Sequence, residues 1–350
     1  MSQAFDHGHT TLKGGMCMSG APFSTEFDYH DKVFVVGQGD DSFFYDQHLE
    51  VMPRLAYHLE FLWAHPEIKI MVGCESGRNK NHTEWGLRHM LLSMEPLMKL
   101  SGLSMDRLVV HRHVFAREIY LPMEGGCQDP VYNTWQILSM RERFLNALNI
   151  TRSPPPDVDN SMPIRNSSSS RHLLRHMNKK RRRKKLVMLL IKRSSGAKHT
   201  RNYEGGLTLR LWDDDFTKRL MRDLRTKFPA YNVKMFSDQD EKTMRCYPCQ
   251  IRAFAEADVL IGMHGAGLSN QLYMKPNSAV VELCPYANDG RCLLGGGPFS
   301  RLAAVMSHNY MIHHPRKEEF KVIFRNKTSQ FNIERFTLHI QSFLYAVKFT

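Results

Sequence analysis

ADVLIGMHGAGLSNQLYMKPNSAVVE, residues 257–282, reads as a buried strand over 259–262, a turn carrying Gly262, Gly265 and Gly267, a short helix opening near Leu268, and a second strand ending in Glu282. An apolar run of this length fits a parallel strand covered on both faces, and small residues after it let the backbone approach a ligand closely. Free amides at the start of the following helix, reinforced by its dipole, attract an anion. His264 can add a donor or a positive charge to that anion. Glu282 ends the next strand, where α/β nucleotide sites place an acidic residue for ribose hydroxyls. A tight strand-to-helix turn with no ligand gives the same local pattern, so the flanking chain has to discriminate.

Upstream, LVMLLI at 186–191 is another buried strand and runs directly into KRSSGAKHTRN, a loop with Arg193 and Arg201. Helices are expected over 213–228 and 247–257, a strand over 231–236, and final helices over 299–307 and 333–348. This order is a set of βαβ units, a Rossmann-like half. In an open parallel sheet the loops leaving neighbouring strands converge on one crevice. The arginine loop and the HGAGLSN turn can therefore hold the same diphosphate. A sugar nucleotide suits such a site better than a dinucleotide, because no GxGxxG follows a first strand.

The N-terminal half alternates in the same way. Residues 1–30, rich in Gly, His, Met and Ser, show no period and read as a flexible or partly ordered leader. Then come a strand over 32–36, a helix over 43–64 with Pro53 interrupting or kinking its start, a strand over 67–73 and a helix over 85–100. Strands over 107–111 and 114–121 and a helix over 133–149 complete an α/β domain at 31–150. Residues 151–185 contain PPP, SSSS and KKRRRKK and have too little apolar surface to fold alone, so a disordered linker is expected there. The nucleotide-binding domain then covers 186–330, with a C-terminal helix in 331–350.

Composition is that of a globular chain: 350 residues, 42% hydrophobic and 10% aromatic, leave room for two cores. The formal net charge is +13, from 48 Lys plus Arg against 35 Asp plus Glu. Part of the excess is the run Lys179 to Lys185, which resembles a nuclear-localisation or nucleic-acid patch, although solvated basic linkers share the pattern. Elsewhere, arginines that hold a diphosphate, or attraction of an anionic substrate or membrane surface, account for a moderate surplus. No apolar stretch is long enough to span a membrane and residues 1–20 lack a signal-peptide core, so the chain reads as soluble as made or as a lumenal fragment without its anchor. Of the 7 cysteines, Cys246 and Cys249 form a CxxC with no second pair at zinc spacing; such a pair can be redox-active, but this one sits just before a helical run and is read as structural or incidental. Sequons at Asn81, Asn149, Asn166 and Asn326 are compatible with a secretory lumen. The acids at 213–215 can hold a divalent ion in principle. At a helix start the dipole explains them without one, and no metal site is expected.

IKRSSGAKHTRN, followed by ADVLIGMHGAGLSNQLYMKPNSAVVEL, resembles the nucleotide-binding half of glycosyltransferase family 61. That family includes extracellular O-linked and O-mannose N-acetylglucosaminyltransferases and plant xylosyl- and arabinosyltransferases. FYDQHLEVMPRL and IYLP extend the likeness into the N-terminal half, so that it covers residues 40–315, and HGAGLxN is its most specific part. The resemblance implies an α/β fold of GT-B-like type, two Rossmann-like domains facing each other across a cleft, with the N-terminal domain on the acceptor side. It also implies inverting transfer of N-acetylglucosamine or xylose from a UDP-sugar to a hydroxyl of a glycan or glycoprotein. The expected setting is the Golgi or endoplasmic reticulum lumen, in a type II membrane protein, with no cofactor beyond the donor and no metal.

Carried over by position, Arg193 and Arg201 would hold the diphosphate with Asn202 beside them. His264, Gly265, Ala266 and Gly267 would form the phosphate turn, and Asn270 and Glu282 would help to fix the nucleotide. Inversion needs a group that removes the acceptor proton, and two-domain transferases place it on the N-terminal half. The family commonly has a His before the acidic residue of the motif ending in PRL. Here Asp46 stands four before Glu50 and the His is at 48, so Glu50 is the first candidate base, with Asp46 and His48 as alternatives. A function of another class is a degenerate transferase fold that binds polyanions or nucleic acid through Lys179 to Lys185.

Overall fold

The computed structural model describes residues 9–18, 28–36, 47–72, 94–95, 98–109, 113–122, 134–150, 185–192, 214–284, 297–316, 319 and 331–347. In the N-terminal half, β1 (His9–Met18) and β2 (Asp28–Val35) precede a π-helical turn at Gln47–Val51. Helices α1 (Met52–Tyr57) and α2 (Leu59–Ala64), then β3 (Lys69–Met71), β4 (Leu108–Val109), β5 (His113–Pro122) and α3 (Thr134–Ala147) follow. The strands form one five-stranded sheet in the order β1-β5-β2-β3-β4, parallel throughout except at the β1 edge. From β2 the chain winds outward through β3 to β4 and then returns to the opposite side of β2 as β5. Side chains alternate across this sheet: Val33 and Val35 enter one cluster, Phe34 and Val36 the other.

Two details depart from expectation. The leader at 1–30 supplies a strand, since β1 pairs antiparallel with β5 from His9 opposite Pro122 to Met18 opposite His113. Its sequence HTTLKGGMCM lacks alternation, and the ladder to β5 gives the backbone partners that local propensity does not specify. The single helix expected over 43–64 is divided into the π-helical turn, α1 and α2, with a break at His58. Pro53 lies in the first turn of α1, where a missing N–H is of no consequence. The buried Arg54 donates from Nη1 to the Val36 carbonyl at 3.3 Å, which pins α1 to the end of β2.

The C-terminal half contains β6 (Leu186–Lys192), α4 (Asp214–Lys227), β7 (Tyr231–Ser237), α5 (Glu241–Arg245), α6 (Tyr247–Ala255) and β8 (Val259–Met263). A 3-10 helix at Ala266–Tyr273, β9 (Ala279–Leu283), α7 (Pro298–Val305), β10 (Asn309–His313) and α8 (Ile333–Ala346) complete it. All neighbours in its sheet, ordered β10-β9-β8-β6-β7, are parallel. Met188, Leu190, Val259, Ile261 and Val281 face α4 and α8. Leu189, Leu260 and Val280 face α6, the 3-10 helix and α7. Two covered faces explain why these strands read as unbroken apolar runs.

That second layer does not end at the C-terminal half. Ile251, Phe254, Leu268 and Leu272 belong to the same buried cluster as Leu55, Leu59, Ile137 and Phe144 of α1, α2 and α3. Reciprocal hydrogen bonds cross the contact: Arg141 donates to the Met274 carbonyl and Arg252 to the Leu148 carbonyl, each at 2.7 Å. The architecture is two Rossmann-like α/β halves.

Candidate functional site

The strand order of the C-terminal sheet reverses between β6 and β8: β7 lies outside β6 on one side, while β8, β9 and β10 continue on the other. Parallel sheets form their ligand crevice at the C-terminal ends of strands at such a reversal. Leu190 lies opposite Ile261, so Lys192 and Met263 end adjacent strands at one edge. The HGAG turn leaves β8 there. Gly262 within β8 and Gly267 within the turn allow this segment to lie close on β6: a Cβ at Gly262 would stand 3.0 Å from Leu268 Cδ2 and 3.3 Å from Ile191 Cδ1, and one at Gly267 would stand 3.3 Å from Ile191 Cγ2. Beyond the turn the chain winds as a 3-10 helix, with Leu268 N–H donating to the Gly265 carbonyl at 2.9 Å.

Three side chains from successive elements meet beside this turn. Glu282, 2% exposed on β9, meets His264 Nδ1 with one carboxylate oxygen and accepts from the Tyr310 hydroxyl of β10 with the other. Parallel register makes this possible, since Glu282 lies opposite Gly262 on one side and Ile312 on the other. Burial and then the Glu282 charge push the Tyr310 phenol far up, so it remains a donor. The His264 ring is also held edge-on to Phe299 at 5.1 Å, and its amide donates to the Leu283 carbonyl at 2.9 Å. A carboxylate on Nδ1 orients the imidazole. Asn270 Nδ2 donates to the Gly267 carbonyl at 3.2 Å, which braces the turn. Its Oδ1 and the Ser269 hydroxyl are buried without a protein partner.

The predicted residues thus divide three ways. His264, Gly265, Ala266, Gly267, Asn270 and Glu282 come together at the reversal point. Arg193, Arg201, Asn202 and Asp46 lie outside the described residues, as does the side chain of Glu50, whose backbone belongs to the π-helical turn. His48 lies in that turn too, but it is fully buried and its Nε2 meets the Tyr247 hydroxyl of α6. Tyr247 in turn contacts the Tyr273 hydroxyl at 2.6 Å, and burial raises both phenols. A polar chain therefore joins the N-terminal PRL motif to the far end of the 3-10 helix.

Tyr310, Tyr247 and Tyr273 were not legible as site residues. Tyr310 belongs to a half-exposed strand that carries no apolar run, and the other two are read from sequence only as helix and strand neighbours. Lys192 is a further case. Its buried ammonium pairs with Asp214 at the start of α4, and that hydrogen bond and charge hold the Asp214 carboxyl below its ordinary value. Asp214 and Asp215 occupy the first turn of α4, as expected from the dipole. Among the described residues no cluster of three or more His, Cys, Asp or Glu is arranged to hold a metal.

Residues 217–281 match the family model described as Glycosyltransferase 61. The matched segment runs from α4 through the HGAG turn to β9. No curated protein matches by sequence. Among solved structures, the chain is similar to a glycosyl transferase of family 9 from Veillonella parvula, with TM-score 0.33 and 10% identity over 93% of this chain and 100% of that one. It is similar to the ADP-heptose LPS heptosyltransferase II of E. coli at TM-score 0.33 and 10% identity, over 90% of this chain and 99% of that one. The segment that carries β8 and the glycine turn of the reversal point is thus similar to glycosyltransferase family 61.

Proposed function

We propose that the protein transfers N-acetylglucosamine or xylose from a UDP-sugar to a hydroxyl of a glycan or glycoprotein, with inversion, inside the secretory pathway. The observation that carries the donor half of this reading is the HGAG turn seated where the sheet reverses between β6 and β8. The diphosphate would lie on that turn beside His264, and Arg193, Arg201 and Asn202, carried over from the family resemblance, would contribute to holding it. Glu282 then acts as a positioning residue, because both of its oxygens already meet protein groups. Asn270 Oδ1 and the Ser269 hydroxyl supply acceptors that a ligand hydroxyl or amide can satisfy. Diphosphate charge met by arginines and amides needs no metal or cofactor. Two oxidised sites, Cys246 with Cys249 and a disulfide at Cys284, suit an oxidising lumen. Among the described residues no helix is long and apolar enough to cross a membrane.

On the acceptor side Glu50 is the proposed base, placed after β2, where the N-terminal sheet reverses between β2 and β5. Glu50→Gln is expected to lower kcat by about 10²- to 10⁴-fold with UDP binding intact. Loss of UDP binding in that variant would reassign the residue.

The donor reading is tested by thermal melting with UDP, UDP-N-acetylglucosamine and UDP-xylose. A ligand at a hundredfold excess over its Kd adds about 2.7 kcal/mol to the folded state. Arg193→Ala should abolish the shift. If none of the three moves the melting curve, the donor assignment fails. Binding that instead vanishes on deleting 179–185 and falls steeply with salt would indicate a polyanion-binding protein.

A further inference from the structure

We infer that the Cys246–Cys249 disulfide is a thiol–disulfide exchange site whose state is transmitted to the contact between the two halves through Tyr247. The cysteines are joined across the first turn of α6. Cys246 is the N-cap of that helix, and its sulfur accepts the Cys249 amide at 3.2 Å. Cys249 is exposed, whereas Cys246 is half-buried. A bond between residues separated by 3 ties no distant elements together. Closing so short a loop also removes little freedom from the unfolded chain. The bond is therefore poorly placed as a staple and well placed for exchange.

An incoming thiolate has access to the exposed Cys249 sulfur. Attack there forms a mixed disulfide on Cys249 and expels Cys246 as a thiolate, which the Cys249 N–H and the helix N-terminus stabilise. The second thiol of the same dithiol donor then attacks the donor sulfur of the mixed disulfide and releases Cys249. The donor becomes a disulfide and gives up two electrons. Its two protons end on the sulfurs of Cys246 and Cys249.

What the exchange would alter lies between the cysteines. Tyr247, the first residue of α6, is buried and meets His48 of the N-terminal half and Tyr273 of the 3-10 helix. Cys246 is also the joint between α5 and α6, which Gln250 Nε2 spans by donating to the Met244 carbonyl at 2.9 Å. Opening the bridge releases the backbone on both sides of Tyr247, and with it the seat of the His48 contact.

The test uses the folded chain in stepped ratios of reduced to oxidised dithiothreitol. Free thiols are trapped with iodoacetamide and located by peptide mass spectrometry, and amide hydrogen exchange is followed in the same samples. Cys246 and Cys249 are expected to become labelled together, at a ratio that leaves Cys284 unlabelled and far-UV circular dichroism unchanged. Exchange should quicken on the order of tenfold in both 47–57 and 247–255. Labelling that appears only with Cys284, or only with loss of the dichroism, overturns the exchange site. Labelling without faster exchange at 47–57 overturns the transmission. A second variant covers the case in which the reduced form unfolds: in Cys246→Ser, Cys249 is expected to form a mixed disulfide with oxidised glutathione, and a Cys249 that does not react overturns the site.

Discussion

Glu282 and His308 support the same turn from two directions. Glu282 holds the His264 ring from β9, and His308 donates from Nε2 to the Gln271 carbonyl of the 3-10 helix at 3.0 Å. The other ring nitrogen of His308 is buried without a partner, and burial lowers its pKa from the ordinary 6.5 to about 4. The folded state therefore keeps His308 neutral, while the unfolded chain takes up a proton below 6.5. Its contribution to stability is intact above 6.5 and is lost as pH falls from there towards 4, below which the folded form protonates too. The loss amounts to roughly 3 kcal/mol across that window. Urea midpoints measured between these pH values should fall as pH falls, and His308→Gln should flatten the profile by that amount. An equally steep profile in the variant would refute the assignment. His313, pushed down to about 3 chiefly by burial, adds a slope of the same sign that survives the substitution.

At the scale of elements, the turn between β8 and the 3-10 helix is set by what it packs against. Leu268 and Leu272 enter the shared core, and Ile191 of β6 lies under both Gly262 and Gly267. Gly262→Ala pushes a Cβ to 3.0 Å from Leu268 and 3.3 Å from Ile191, so either the turn or β6 has to shift. Overpacking of this kind costs about 1–3 kcal/mol. Gly267→Ala meets only Ile191, at 3.3 Å, and is expected to cost less. Chemical denaturation and UDP calorimetry on both variants should therefore show Gly262→Ala as the weaker in stability and in affinity. The same order reversed would mean that the turn is free to move away from β6. The two strands that bound this turn were legible because each is covered on both faces, and the helix type was not. A repeat of three residues per turn arises here from i to i+3 bonds such as Leu268 to Gly265, which no residue pattern in HGAGLSN announces.

For the whole molecule, one buried cluster runs from α1 and α3 of the N-terminal half to α6 and the 3-10 helix of the other, so the halves are expected to unfold together. Arg141→Ala leaves the Met274 carbonyl without its donor across that contact and should cost about 1–3 kcal/mol. Calorimetry should show one transition at a lower temperature; a split into two transitions would mean that the halves are energetically separate. The α/β class, the paired domains and the glycine turn were determined by the sequence itself, because alternating apolar runs and small residues state which segments must be buried and where a backbone must come close. The meeting of His264 with Glu282 and Tyr310, and of His48 with Tyr247 at a separation of 199 residues, was decided only by the tertiary structure. Those contacts depend on which strands lie side by side and in what register, and on which helices share a core, and no local run of residues specifies either.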